Sequence, residues 1–255
     1  SVGGYVASSE AQLVGLENKG HYVEDGTMGR MDLKSCESLP NIKELTITKS
    51  YAQKDGYRFF MEKEIYEQHK VLLETMMGRV SDEFIGFEEV GSEFFDGIEE
   101  ITICACGTSY HAGLSAKYLL ERLAKVRTNV VFASEFRYAQ PVMHKNELFV
   151  CISQSGETAD TLEALKLAKT NGLKTLAICN VDNSSIVRES DRTILTRAGI
   201  EKGVASTKAF ATQVMVLWIL SVYLGHLRGH ICAKEFKQHA KQMLNATKLK
   251  KVDYQ

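Results

Sequence analysis

Between residues 99 and 196 the chain alternates short apolar runs with segments whose apolar residues recur at helical spacing. The apolar runs are "EEITICAC" (99–106), "NVVFAS" (129–134), "ELFVCIS" (147–153), "KTLAICN" (174–180) and "RTILT" (192–196). Strands that are apolar on both faces and separated by helices are typical of a parallel sheet covered on both sides. The pattern therefore predicts a doubly wound α/β domain.

Helical spacing occurs between these strands and on either side of them. The predicted helices are 109–125, 158–171, a short one at 184–190, a long apolar one from about 207 to 226, and a linking helix at 57–79 that ends near Gly78. The tail, 233–251, has the pattern of an amphipathic helix that leads to further structure. Residues 1 to about 50 carry only short β-like runs, such as 44–50, and an Asp25–Gly26 turn, too little for a core of their own.

Composition narrows the class of protein. The 255 residues are 44% hydrophobic and 25% charged, with a net charge of −1 and a pI of about 6.7, so the chain offers no basic surface to nucleic acid. The most apolar stretch, 214–225, is shorter than the roughly 20 residues that cross a bilayer, so we expect a buried helix and a cytoplasmic protein without a membrane partner. The chain begins without Met and partway through a strand-like run, so we expect it to be part of a longer protein.

The six cysteines are predicted to be free thiols. Cys104, Cys106, Cys151 and Cys179 lie in apolar strand-like runs, and Cys36 and Cys232 are isolated. No second Cys or His pair stands at zinc-like spacing from the Cys104–Cys106 pair. We therefore expect buried thiols in a reducing compartment, and neither a metal site nor a cofactor.

Three strand-to-helix turns are rich in glycine and hydroxyl residues. They are "CGTS" (106–109), "SQSGET" (153–158) and "GVASTK" (203–208). Ligands of open parallel sheets bind beyond the carboxyl ends of the strands, where the free N–H groups of helix N-termini favour anions. A single Ser or Thr at such a turn is a common N-cap and needs no ligand. Because 153–158 has more hydroxyl groups than a cap needs, and because three such turns share one edge, the sequence predicts a pocket for phosphate and hydroxyl groups.

Two residues near these turns have simpler interpretations than ligand binding. Lys208, in the first turn of its helix, is unfavourable there by roughly 0.3–1 kcal/mol. A nearby anion would offset this cost, but a solvated side chain is the simpler expectation. Ser109 and His111 point to nearly opposite sides of a helix and cannot form a nucleophile–base pair, so His111 is expected to be a surface or packing residue.

Other candidate motifs are weak. Neither G-x-G-x-x-G nor G-x-x-x-x-G-K-[ST] occurs, so dinucleotide and Walker-type nucleotide sites are poorly supported. Arg137 is expected to form a structural ion pair with Glu135 or Glu189 and is assigned no ligand.

At the three turns the sequence resembles a known family. "CGTSYHAG", "ASEFRY", "SQSGETADTLEAL", "LAICNV", "SSIVRESD" and "GVASTKAFATQ" closely resemble the isomerase half of the glutamine–fructose-6-phosphate aminotransferases, also called glucosamine-6-phosphate synthases. "YRFFMEKEIYEQ" resembles the segment ahead of that half, and "YVASSEAQL" and "YVEDG" resemble the end of the glutaminase domain. The resemblance covers nearly the whole chain.

The resemblance implies a sugar-isomerase (SIS) fold, a five-stranded parallel sheet flanked by helices, preceded by a short β-rich remnant and a linking helix. It implies a part in converting fructose 6-phosphate and glutamine to glucosamine 6-phosphate and glutamate. Position within the family's motifs assigns the phosphate to Ser153, Gln154, Ser155 and Thr158, the sugar to Thr108 and Ser109, and closure of the pocket to Val204 and Ser206. SIS domains usually pair, so a homodimer is expected.

The resemblance also implies domain boundaries and a limit on activity. It places a glutaminase remnant at 1–50, a linker helix at 51–82, a first SIS domain at 83–230, and at 231–255 a helix leading to a second SIS domain. In the family, an N-terminal Cys is the glutaminase nucleophile, and the second SIS half supplies the imine-forming lysine, a carboxylate that moves the proton and a histidine for ring opening. This chain begins with Ser and stops before that half, so we expect a sugar-phosphate-binding fragment that has no catalytic residue and is inactive alone.

Two other functions remain open. A SIS-domain sugar-phosphate sensor should carry an output domain, whereas the N-terminal flank here resembles glutaminase. A stand-alone sugar-phosphate isomerase needs a general base at the pocket, for which Glu157 and Glu201 are the nearest candidates. Glu157 is also explained by its favourable charge at a helix N-terminus.

Overall fold

The structure is a computed structural model that describes residues 54–247 without a gap, together with 5–7, 13, 16, 19–23, 26–28 and 42–44. The chain forms two compact units, Ser1–Phe59 and Phe60–Gln255. In the first unit, β1 (Lys19–Gly20) pairs antiparallel with β2 (Lys43–Glu44). Several predicted features lie outside the described residues: Asp25 of the predicted turn, Cys36, most of the strand at 44–50, and the tail from 248 onward.

The second unit contains one five-stranded sheet in which every strand pair is parallel. Its strands are β3 (Glu100–Ala105), β4 (Arg127–Phe132), β5 (Glu147–Ser153), β6 (Lys174–Cys179) and β7 (Arg192–Leu195), in the order β4-β3-β5-β6-β7. β5 is buried at every position, which explains the unbroken apolar run at 148–152. The predicted doubly wound sheet of five parallel strands is confirmed.

Helices cover both faces of this sheet. The α-helices of the chain are α1 (Phe60–Met76), α2 (Gly107–Leu119), α3 (Ala133–Phe136), α4 (Ala159–Thr170), α5 (Ser185–Glu189), α6 (Lys208–Leu227) and α7 (Ala233–Ala246). A 3-10 turn at Ser92–Phe95 precedes the sheet, and a π-helical turn at Leu120–Ala124 ends α2. The helix predicted at 109–125 therefore changes form at Leu120. The strand predicted at 129–134 stops at Phe132 because Ala133 begins α3.

The core has two parts because neighbouring residues of a strand point to opposite faces of the sheet. Val150 faces a large apolar cluster that includes residues of α2, α6 and α7. Cys151, next to it in β5, faces a smaller cluster formed with residues of α3, α4 and α5. Both faces are covered, as the sequence predicts.

The long apolar helix α6 belongs to the larger cluster. Within the described part of the chain it is the one helix whose length and composition would let it cross a membrane, yet most of its apolar stretch is buried inside the protein. This burial agrees with the prediction of a core helix at this position.

The cysteines in the described part of the chain are free, but not all are buried. Burial raises the pKa of the Cys104, Cys151 and Cys179 thiols, so they remain protonated and unreactive at neutral pH. Cys106 is half-buried. The expectation of a buried thiol is wrong for Cys232, which is exposed because it is the N-cap residue of α7.

Replacing Leu165 by Ala tests the smaller core cluster. Leu165 lies on α4 and is 0% exposed, so Leu165→Ala is expected to lower the free energy of unfolding by about 2–5 kcal/mol, measured by urea denaturation. Leu73 on α1 is 47% exposed, and Leu73→Ala is expected to cost less than about 1 kcal/mol. Equal losses in the two variants would contradict the assignment of Leu165 to the core.

Candidate functional site

The first two glycine- and hydroxyl-rich turns lie side by side at the carboxyl edge of the sheet. β3 and β5 are neighbours, with Ala105 opposite Ile152 near their carboxyl ends, although β4 lies between them in the sequence. From β3, the strand order runs to β4 on one side and to β5, β6 and β7 on the other. Such a reversal is the topological switch point at which ligands of doubly wound sheets bind.

The turn between β5 and α4, residues 153–158, uses two of its hydroxyl groups on its own backbone. Ser153 is buried, and its Oγ accepts a hydrogen bond from the Gly156 N–H at 2.9 Å. Ser155 Oγ accepts a hydrogen bond from the Glu157 N–H at 3.2 Å. A hydroxyl that accepts a hydrogen bond still has its own hydrogen to donate. The two serines therefore shape the turn and retain donors for a ligand.

Gly156 packs this turn against the next one along the sheet. Its φ is +70°, and a Cβ at this position would lie 1.9 Å from Ser184 Oγ and 2.9 Å from Cys179 Sγ. Its carbonyl accepts a hydrogen bond from the Ile186 N–H at 3.0 Å. Glycine satisfies both the left-handed backbone conformation and the lack of space.

Thr158 is the N-cap residue of α4, but its hydroxyl does not cap the helix. Its carbonyl accepts the Leu162 N–H at 3.0 Å, and both Thr158 and Gln154 are half-buried. The first N–H groups of an α-helix have no acceptor within the helix and carry the positive end of its dipole. Capping therefore does not account for the Thr158 hydroxyl, and the start of α4 lacks a side-chain cap.

The turn after β3 places Thr108 and Ser109 in the first turn of α2. Thr108 is exposed and Ser109 is buried. Gln213 on α6, which is 1% exposed, donates from Nε2 to Ser109 Oγ at 3.0 Å. Gln213 Oε1 is buried and has no hydrogen-bond partner among the described residues. Sequence reasoning missed Gln213, whose local signal is only a polar residue in an apolar helix.

Side-chain contacts connect α4 to α2 and α2 to α6. Thr161, in the first turn of α4, contacts Cys106 at 3.9 Å from Oγ1 to Sγ, and Cys106 is the N-cap residue of α2. Gln213 then joins α2 to α6. It lies five residues after Lys208, where α6 begins, which is about 7.5 Å along the helix axis. The starts of α2 and α4 therefore lie together, and α6 contacts the first turn of α2 at a point one to two helical turns after Lys208.

The loop between β7 and α6 carries the last two predicted site residues. Val204 is fully exposed and Ser206 is half-buried. The Glu201 carboxylate accepts hydrogen bonds from the Thr207 N–H at 2.8 Å and the Ala209 N–H at 3.2 Å, so Glu201 caps α6. Closure of a pocket by Val204 therefore requires a ligand, or another part of the protein, against this exposed side chain.

Two predictions about charged residues are wrong and one about His111 is confirmed. Lys208 is neither solvated nor free for an anion, because it is buried and its Nζ lies 2.7 Å from Glu67 Oε2 on α1. Arg137 pairs with Asp160 at 2.8 Å rather than with either predicted glutamate, because α3 packs against α4. His111 is an exposed residue of α2 that makes no pair with Ser109.

The two candidate general bases are both engaged with backbone N–H groups. Glu157 Oε1 accepts the Ser185 N–H at 2.8 Å, and Glu201 caps α6. In the described part of the chain, no three His, Cys, Asp or Glu side chains are placed to hold a metal ion together.

Two cavities lie away from these turns. One of about 290 Å³ is at the amino ends of the strands, where Gly97, Ile101 and Arg228 are among its lining residues. The other, of about 450 Å³, lies between α7 and the π-helical turn. Neither is lined by any of the eight predicted site residues.

Comparison with known proteins agrees with this fold. The SIS domain family matches residues 97–223, which begin just before β3 and end within α6. The chain therefore contains a SIS domain, in agreement with its five-stranded parallel sheet. It is 51% identical over 240 residues to the glutamine–fructose-6-phosphate aminotransferase (isomerizing) of Campylobacter jejuni, and 48% identical over 257 residues to that of Helicobacter pylori.

The chain is thus a homologue of these aminotransferases and spans part of their length. The two alignments cover 91% and 98% of this chain, but 40% and 42% of the relatives. A solved structure of the C-terminal domain of glucosamine-fructose-6-phosphate aminotransferase from Francisella tularensis superposes with a TM-score of 0.75 at 44% identity, covering 78% of this chain and 57% of that chain. Glucosamine-6-phosphate deaminase from Thermotoga maritima shares the fold at 22% identity and a TM-score of 0.57, covering 73% of this chain and 54% of that chain.

Replacing Gly156 by Ala tests the packing of the β5–α4 turn. Gly172 is the matched control, because its φ is +79° but nothing lies within 4 Å of the position of a Cβ. Gly172→Ala is expected to lower the free energy of unfolding by about 1–2 kcal/mol through backbone conformation alone. Gly156→Ala is expected to lose about 2 kcal/mol more, because the new methyl group overlaps Ser184. Equal losses, measured by urea denaturation, would contradict the close packing of this turn.

Proposed function

We propose that this chain is the sugar-phosphate-binding part of the isomerase region of an enzyme that converts fructose 6-phosphate and glutamine to glucosamine 6-phosphate and glutamate. The proposal rests on the two hydroxyl-bearing turns that lie together at the switch point of the parallel sheet, and on the hydrogen bond that joins them to α6, the helix that follows the third turn. The names of the relatives from Campylobacter jejuni and Helicobacter pylori support the choice of reaction.

The β5–α4 turn is proposed to bind the phosphate. The residues concerned are Ser153, Gln154, Ser155 and Thr158. Their hydroxyl and amide groups are donors, and the first N–H groups of α4 add further donors at the positive end of a helix dipole. A phosphate dianion accepts several charge-assisted hydrogen bonds at once, so this concentration of donors suits it.

The other two turns are proposed to bind the sugar. Thr108 and Ser109 contact its hydroxyl and carbonyl oxygens, and Val204 and Ser206 close over it. Because Gln213 Nε2 donates to Ser109 Oγ, the hydroxyl hydrogen of Ser109 is left to donate to the ligand. Gln213 therefore sets Ser109 as a donor in this pocket.

We propose that this part of the enzyme binds the sugar phosphate but does not complete the reaction alone. A general base must lie within hydrogen-bond reach of the proton that it removes, and both Glu157 and Glu201 already accept backbone N–H groups. This disfavours a stand-alone isomerase. The similarity to the aminotransferases extends well before the SIS domain, which disfavours a sugar-phosphate sensor.

The remaining expectations concern partners and location. We propose a homodimer formed through SIS domains and working in the cytoplasm, without nucleic acid or membrane partners. The net charge of −1 gives no general attraction to nucleic acid.

Calorimetric titration with glucosamine 6-phosphate tests the phosphate assignment. The unaltered chain is expected to bind, and a Ser153→Ala, Thr158→Val double variant is expected to bind at least about tenfold more weakly, because two donors to the phosphate are removed.

The control is a Ser115→Ala, Thr170→Val double variant, whose hydroxyl groups lie on α2 and α4 and donate to carbonyls four residues earlier. It should retain the original affinity. If both double variants bind glucosamine 6-phosphate as tightly as the unaltered chain, with folding checked by circular dichroism, the phosphate assignment is wrong.

A further inference from the structure

One face of α1, the helix that precedes the family-matched segment, contacts the loop that carries Val204 and Ser206. Phe60, Glu64 and Glu67 are spaced at i, i+4 and i+7, so they lie on the same side of α1. α1 as a whole packs against α6, the helix that this loop enters.

Glu64 makes the central contact. Its side chain is 2% exposed, and its Oε1 accepts hydrogen bonds from the backbone N–H groups of Lys202 and Gly203. The Gly203 N–H also contacts Oε2, at 3.1 Å compared with 3.0 Å to Oε1. Hydrogen bonds to a carboxylate are stronger than those between neutral groups, and a buried carboxylate without them is costly. Glu64 and this short piece of backbone therefore hold one another in place.

Gly203 leaves the space that the Glu64 carboxylate occupies. A Cβ on residue 203 would lie 2.4 Å from Glu64 Oε2, so any side chain other than the hydrogen of Gly203 would displace the carboxylate. The contact therefore depends on a glycine at position 203.

Phe60 and Glu67 make contacts on either side of Glu64. The Lys202 ammonium lies 5.1 Å from the centroid of the Phe60 ring, within the range of a cation–π interaction. Glu67 binds the buried Lys208, the first residue of α6. The segment that carries Val204 and Ser206 is thus held at both of its ends by α1.

We propose that Glu64 is a positioning residue of the sugar-phosphate pocket, which fixes the backbone at Lys202–Gly203 so that Val204 and Ser206 meet the sugar. This inference rests on the proposed function and assigns part of the pocket to a helix outside the SIS family match. The β5–α4 turn is held separately, by contacts of Gly156 with Ser184 and Ile186. Glu64 therefore acts on binding of the sugar and not on binding of the phosphate.

Glu64→Gln is the variant that tests the hydrogen bonds of Glu64 most directly. It keeps the shape of the side chain but replaces one carboxylate oxygen by an NH₂ group, and because the Gly203 N–H contacts both oxygens, a donor then faces a donor. Glu64→Asp keeps the charge and shortens the side chain. Glu74→Gln is the matched control on the same helix, where the carboxylate is partly exposed and 3.9 Å from Lys70.

Calorimetry with glucosamine 6-phosphate and with inorganic phosphate separates the sugar from the phosphate. Glu64→Gln is expected to lower the affinity for glucosamine 6-phosphate by about tenfold and to leave that for inorganic phosphate within about twofold. Glu64→Asp is expected to be intermediate, and Glu74→Gln unchanged. Hydrogen exchange of the Lys202 and Gly203 amides is expected to become faster in Glu64→Gln.

Each other outcome overturns the inference. Unchanged affinity for glucosamine 6-phosphate in Glu64→Gln, while the unaltered chain binds, refutes positioning by Glu64 and leaves the proposed function intact. An equal loss for both ligands shows a general structural role instead. Failure of the unaltered chain to bind glucosamine 6-phosphate refutes the proposed function and this inference together. If Glu64→Gln does not fold, Gly203→Ala breaks the same contact from the loop, and the same sugar-selective loss is required.

Discussion

β5 pairs in parallel with β3 on one side and with β6 on the other, and this pairing determines which turns of the sheet are neighbours. β5 is buried at all of its positions, and its backbone groups are paired with both neighbours. Because β4 lies on the other side of β3, no strand separates β3 from β5, and the turns that follow these two strands are adjacent. The starts of α2 and α4 are therefore adjacent, and the polar residues of these two turns gather at one place.

The third turn, 203–208, is connected to the first turn through α6. β7 is the edge strand and lies two strands away from β5, so its own position does not bring the following loop to the switch point. α6, which follows this loop, packs against α2 and joins it through the Gln213–Ser109 hydrogen bond. The carboxylates of α1 then hold the loop at Lys202, Gly203 and Lys208. The proposed pocket therefore depends on more of the chain than the segment that matches the domain family.

Local pattern was sufficient for the elements of the sheet and for the turns. The strand at 147–153 is predicted residue for residue, because its apolar run at 148–152 has no helical periodicity and is bounded by Glu147 and Ser153. The division of α2 at Leu120 and the short helix α3 were missed, since neither a π-helical turn nor a four-residue helix has a clear periodic signal.

Contacts between distant residues could not be predicted in this way. Glu64 and Lys202 are 138 positions apart, and Gln213 and Ser109 are 104 apart, so no window of sequence contains both partners. The same limit explains the error at Lys208, because its burial depends on Glu67, a residue of α1 that lies 141 positions away. The exposure of Cys232 likewise follows from its place at the start of α7 and not from its chemical type.

The binding site can be tested most directly by two-dimensional ¹⁵N–¹H NMR, which maps the amide resonances that shift on titration with glucosamine 6-phosphate. We expect the largest shifts to fall together on residues 107–109, 153–158 and 203–207, and to saturate at a single dissociation constant. Shifts confined to the cavity near Gly97 and Arg228, or scattered over the surface without saturation, would contradict the proposed site.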